Sequence, residues 1–207
     1  MFRMNSDNST TFSGKHIFML LLAFMLGACG STSKVATFDT DDIVISEEFG
    51  IDTYLSEKFT QAVTHINNKK FDEAIELLVD VTSNTDKHSA PYINLAIAYS
   101  EIGKIQDAEN TLVKALKINP SHPVTNNELG LVYRKTGRFD KAKTTYEQII
   151  NNYPQFLPAR KNLGILCDLF MNDLGCAIEQ YEAYLNVRPG EKEMGIWLAD
   201  LKKRAGQ

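Results

Sequence analysis

The sequence is poor in the patterns that build metal and catalytic sites. Its 207 residues hold three cysteines, at 29, 167 and 176, and four scattered histidines, at 16, 65, 88 and 122. No CxxC or HExxH spacing occurs, so the usual donor sets of zinc and dithiol redox sites are missing. GxSxG elbows and glycine-rich phosphate loops are absent as well, which removes the common signatures of acyl and phosphoryl transfer. The expectation is a protein that is not an enzyme and has no cofactor, no metal and no small-molecule substrate. Excess positive charge is also lacking. The formal charge is −4, and taking away residues 1–28, where Arg3, Lys15 and Asp7 sum to +1, leaves −5. Nucleic acid is therefore not an expected partner.

The apolar run Ile17–Leu26 has ten residues, about half of the roughly 20 needed to span a bilayer. It follows a leader carrying Arg3 and Lys15 and precedes the small residues Gly27 and Ala28, the layout of a secretory signal. Residues 1–28 are excluded from the fold on that ground. The run ends in Leu26-Gly27-Ala28-Cys29, which resembles the bacterial lipobox. That resemblance implies cleavage before Cys29 and acylation of it, an anchor that holds stably because more than one chain is attached. Gly30, standing where an Asp would favour inner-membrane retention, implies by the same resemblance an outer-membrane protein facing the periplasm. Residues 29–52 mix Ser and Thr with Asp39, Asp41, Asp42, Glu47 and Glu48, show no sustained helical period, and read as a tether. The Asp cluster lacks the glycine and distal glutamate of a calcium loop.

Beyond the tether the chain repeats. Ala74, Ala108 and Ala142 stand 34 residues apart and Ala177 follows after 35. Leu95, Leu129 and Leu163 keep the same phase, as do Ala96, Gly130 and Gly164, Tyr99 and Tyr133, Gly103 and Gly137, and Pro120 and Pro154, with Pro189 one residue late. These columns resemble the tetratricopeptide repeat family, whose unit is a helix, a tight turn and an antiparallel second helix. The resemblance implies an all-α fold of about four hairpins over residues 53–190, stacked as a right-handed superhelix, with residues 191–207 as a capping helix. Its first unit diverges, with Gln61, His65 and Asp86 where leucine, tyrosine and proline are usual. The last unit carries an inserted residue near Asn172–Gly175, so its turn should differ.

Small residues at 96, 130 and 164 let two helix backbones approach, glycines 103 and 137 end first helices, and the prolines end second ones. Stacked hairpins of this family leave a groove lined by first helices. The phase of the repeat turns Ile93, Asn94, Ile97, Asn127, Leu131, Arg134, Lys161, Asn162 and Ile165 toward it. Amides there can pair with a bound main chain, Arg134 and Lys161 can hold a carboxylate, and Ile93, Ile97 and Leu131 offer apolar pockets. For any one of them a merely solvated role stays open. Ser100 and Glu128 interrupt the Lys/Asn/Arg clamp of chaperone-tail binders in the family. Cys167 and Cys176 lie on adjoining helices in a chain expected outside the cytoplasm, as either a disulfide or two buried thiols.

The implied role is a lipid-anchored scaffold for a protein or peptide partner, held to the membrane through its acyl chains. Pilus-assembly lipoproteins share this layout, which implies help in building an envelope machine such as a pilus or secretion system. An adaptor for peptidoglycan hydrolases or proteases, or an accessory of an energised transporter, stands beside it.

Overall fold

The structure, a computed structural model, describes residues 52–206. Cys29, the signal segment and the tether up to residue 51 lie outside the described residues. Among those described there are helices and no strands: α1 Thr53–Asn67, α2 Phe71–Asn84, α3 Ser89–Glu101, α4 Ile105–Ile118, α5 Pro123–Lys135, α6 Phe139–Asn152, α7 Leu157–Leu169, α8 Leu174–Val187 and α9 Lys192–Arg204. Each helix packs on the next, and the first helices α1, α3, α5 and α7 also touch in succession. No described helix is long and apolar enough to cross a membrane.

Three of the four hairpin turns share one hydrogen-bond pattern. The N–H groups of Lys70, Lys104 and Arg138 donate to the carbonyls of His65, Tyr99 and Tyr133, each at 2.8 Å. This bond runs from the second residue beyond the cap back into the last turn, and it needs the residue between in the left-handed region. Gly103 and Gly137 occupy that position at φ 78° and 75°, where a hydrogen in place of Cβ removes the steric cost. Lys69 takes the same place at φ 57° and bears that cost. In the fourth hairpin the inserted residue moves the left-handed position to Asn172, and the closing bond lengthens by one residue, Asp173 N–H donating to the Cys167 carbonyl at 2.8 Å. Asp173 then caps α8, its Oδ1 accepting the Cys176 N–H at 3.0 Å.

Packing between the two helices of a hairpin follows a size exchange visible in four pairs. Ala62 with Leu78 and Ala96 with Leu112 fill the seam in the first two hairpins, all four side chains buried. In the next two the small partner shrinks and the large one grows. A Cβ on Gly130 would lie 2.5 Å from Cε1 of Tyr146, and one on Gly164 2.3 Å from Cε1 of Tyr181. Both rings thus occupy the space a Cβ would take on the facing helix, which close packing permits only where the side chain is missing.

Side chains also pin hairpin to hairpin. Tyr92 Oη reaches the carbonyls of Thr82 and Thr85 at 2.9 and 3.0 Å, fastening α3 to the end of α2. Arg138 meets Glu109 with two bonds of 2.8 and 2.7 Å, tying the start of α6 to α4, and the pairing holds the Glu109 carboxyl below its ordinary range. The last helix buries Met194 and Leu201, and Arg204 pairs with Asp168 of α7 at 2.8 Å. Lys202, Lys203 and Arg204 in its final turn suit the negative end of the helix dipole.

Candidate partner-binding groove

The residues that the repeat phase turns to one side fall into two groups. On α3, Ile93, Asn94 and Ile97 are buried, as is Asn127 on α5. Ile93 and Ile97 join Tyr92 and Ala115 in an apolar cluster, with Ile118 and Val124 against it. The expectation that Ile93 and Ile97 offer open pockets is corrected accordingly: they belong to the packed interior. The second group is accessible: Leu131, Arg134, Asn162 and Ile165 are half-buried and Lys161 is exposed. The accessible members of the row therefore lie on α5 and α7.

Within that stretch, Asn162 Nδ2 donates to Asn127 Oδ1 at 2.9 Å, bridging α7 to α5, and Asn127 Nδ2 in turn donates to Glu128 Oε1 at 3.2 Å. Glu128 is half-buried. Burial pushes its carboxyl up to about 7, against the opposing effects of the Asn127 hydrogen bond and the Lys135 charge and with a further rise from Glu101. Lys135 Nζ itself bonds Ser100 Oγ at 2.8 Å. Arg134 lies with its guanidinium carbon 5.7 Å from the centroid of the Phe170 ring. Its Nη1 is buried and has no hydrogen-bond partner. Burial likewise raises the Tyr146 hydroxyl far above the ordinary phenol range, with Arg134 drawing it down and Glu128 pushing it up. The repeat pattern marks Tyr146 as core filler; that its hydroxyl is within electrostatic reach of the groove was not legible there.

Cys167 and Cys176 are joined by a disulfide, with Cα atoms 5.9 Å apart. Their sulfurs and the Asp173 carboxylate lie within 4.8 Å of one another, the one grouping of potential metal donors among the described residues. Both sulfurs are consumed by the bond, however, and Asp173 caps α8 and faces Lys143 Nζ at 3.3 Å. This arrangement braces a turn and offers no coordination sphere. On the second-helix side an open cleft of about 640 Å³ runs past Lys143, Glu147, Arg160 and Glu179. Its cations are engaged, Lys143 by Asp173 and Arg160 by Gln180.

The comparisons agree with this geometry. The tetratricopeptide repeat family model matches residues 65–123 and again 103–163. MamA from Desulfovibrio magneticus RS-1 superposes with a TM-score of 0.64 at 20% identity, over 75% of this chain and 87% of that one. TTC0263, a tetratricopeptide repeat protein of Thermus thermophilus, gives 0.65 at 23% identity, over 71% and 80%. A repeat protein from Parabacteroides merdae gives 0.62 at 20% identity, over 73% and 59%. At these identities the likeness speaks for the fold. No curated protein matches. The described helices form a tetratricopeptide-type solenoid, with residues 65–163 matching that repeat family directly.

Proposed function

We propose that this chain is a protein-interaction scaffold that grips an extended segment of a partner along α5 and α7. The observation that carries the reading is the row Leu131, Arg134, Asn162 and Ile165, with buried Asn127 holding the Asn162 amide from behind. It combines an amide, a cation and apolar side chains across two successive first helices, a mixture suited to a main chain with alternating side chains. A stack in which every hairpin leans on its neighbours presents such a surface without rearranging, which keeps the entropic cost of binding low.

Cys29 supplies the location. In this reading the chain is acylated there and carried on the periplasmic face of the outer membrane, where the scaffold assists assembly of an envelope complex such as a pilus or secretion machine. The lipobox-like Leu26–Cys29 and the acidic, Ser/Thr-containing stretch after it support that placement. The test is photo-crosslinking in cells from position 131 or 165, with Val113 on a second helix as the control. Trapping one envelope-assembly subunit from the groove positions supports the proposal. Adducts from Val113 alone refute the groove, and an unaltered phenotype for Cys29→Ala refutes the anchored role.

A further inference from the structure

The two ends of the Cys167–Cys176 bond have different surroundings. Cys167 is 0% exposed and packed in the interior with Leu163, Leu166 and Tyr181. Cys176 is half-buried and lines the open cleft of about 640 Å³, together with Lys143 and Glu147 of α6 and Arg160 of α7. Gly175 beside it is exposed, and beyond its own helix a Cβ there would meet only Asp173 Oδ1, at 3.8 Å. A disulfide exchanges when a thiolate reaches one of its sulfurs directly, so in the folded chain this bond opens from the Cys176 end. We propose that Cys176 is a thiol–disulfide exchange site, used by a protein with a dithiol active site that docks in this cleft to make and break the Cys167–Cys176 bond.

The exchange has two steps. A thiolate of the partner attacks Cys176 Sγ; a bond forms between those sulfurs, the Cys167–Cys176 bond breaks, and its electron pair stays on Cys167 Sγ, which takes a proton. The partner's second thiol then gives up its proton and attacks its own sulfur in the mixed disulfide, closing the partner's disulfide and releasing Cys176 as a thiolate. Two electrons pass from the partner dithiol to this chain. Run backwards, the same steps install the bond. Cys176 is the third residue of α8, where the positive end of the helix favours its thiolate, both as leaving group in the second step and as nucleophile in the reverse direction. The Asp173 carboxylate, within 4.8 Å of both sulfurs, opposes an approaching thiolate, and Lys143 Nζ, 3.3 Å from that carboxylate, offsets it.

A dithiol protein fits this geometry better than a lone thiol. After the first step Cys167 stays beside Cys176, their Cα atoms 5.9 Å apart in the oxidised chain. Its return attack reverses the exchange unless a second thiol is already tethered to the attacking one. The cleft has room for about two or three residues of a partner's loop. Its cations are already held, Lys143 by Asp173 and Arg160 by Gln180, and do not make it an anion site.

The proposal is independent of the groove. The oxidised full chain is mixed with thioredoxin as a protein dithiol, dithiothreitol as a small one, or glutathione as a monothiol. Iodoacetamide stops the reaction, and peptide mass mapping follows Cys167 and Cys176 apart from Cys29. Without urea, reduction should be first order in thioredoxin and at least roughly tenfold faster per dithiol than with dithiothreitol, and glutathione should be slower than dithiothreitol by a similar factor. Glu147→Trp, at an exposed position of the cleft, should remove the advantage of thioredoxin while leaving the dithiothreitol rate within about threefold. Hydroxyethyl disulfide should modify Cys176 in Cys167→Ser at least roughly tenfold faster than Cys167 in Cys176→Ser, with circular dichroism showing both variants folded. If the two cysteines react alike, or if reduction does not depend on dithiol concentration because the chain must first unfold, the Cys176 site falls. If thioredoxin is no faster than dithiothreitol, or Glu147→Trp does not separate the two, the docked protein falls and the proposal with it.

Discussion

Gly130 and Tyr146 offer the sharpest check on how this stack is packed. A Cβ at residue 130 would sit 2.5 and 2.7 Å from Cε1 and Cζ of the Tyr146 ring, against an ordinary contact of about 3.5–4.0 Å. The ring must therefore retreat by about 1 Å, a figure set by that contact distance, yet it is 0% exposed and enclosed on its far side. Overpacking of that kind costs about 1–3 kcal/mol, while replacing a helical glycine by alanine returns up to about 1 kcal/mol. Gly130→Ala should then destabilise by about 1–2 kcal/mol. Tyr146→Leu alone should cost about 2–3 kcal/mol through the void it leaves under Gly130. The double variant recreates the Ala96 with Leu112 arrangement already present one hairpin earlier. It should lose only about 1–2 kcal/mol where additivity predicts about 3–5, a coupling near 2 kcal/mol. Urea denaturation of the four proteins followed by circular dichroism measures the cycle. Additive losses within error would show that the size exchange along the seam is incidental and that the ring has room to move.

Other perturbations test other parts of the structure. Glu128→Gln reads the buried carboxyl: with the folded value near 7 and the unfolded one lower, the native state holds the extra proton, so stability falls as pH rises between the two and levels off above about 7. The substitution should therefore stabilise the protein at about pH 8, by at most about 3 kcal/mol, and do little at about pH 4; a pH-independent effect in thermal melts would contradict the cause assigned. Reducing the Cys167–Cys176 bond closes no long loop but frees the irregular turn, and should cost about 2–3 kcal/mol, with melting under dithiothreitol compared with a Cys167→Ser/Cys176→Ser variant as the check. Lys69→Gly relieves a left-handed lysine and should stabilise by about 1 kcal/mol; a loss of stability would mean that the lysine side chain contributes more than its backbone costs. Severing Arg138 from Glu109 by Glu109→Gln should loosen the α4–α6 link by about 1 kcal/mol, since the pair is partly exposed, measured as faster amide exchange in α6.

Much of the architecture is legible in the sequence, because a solenoid is local. Each hairpin is specified by a short stretch, so recurrences such as Ala74, Ala108 and Ala142, or Gly103 and Gly137, report helix seams and turns directly. The inserted residue before α8 is visible as a 35-residue step, and the turn there does differ. What repeat phase cannot convey is exposure. It assigns Ile93, Ile97, Leu131 and Ile165 to one face, yet the first two are buried, packed with Tyr92, Ala115, Ile118 and Val124, while the others are half-open.

The sequence by itself determined the order of helices, their turns and the identity of the small residues in each seam, since these depend on side-chain size, backbone freedom and spacing along a few dozen residues. Tertiary structure alone decided that Lys69 is held in a left-handed conformation, that Asn162 reaches Asn127, and that Arg134 and Tyr146 are left with unpaired donors in one hairpin. Those facts depend on which atoms cover which others across the stack, and burial is a property of neighbours in space that no one-dimensional period carries.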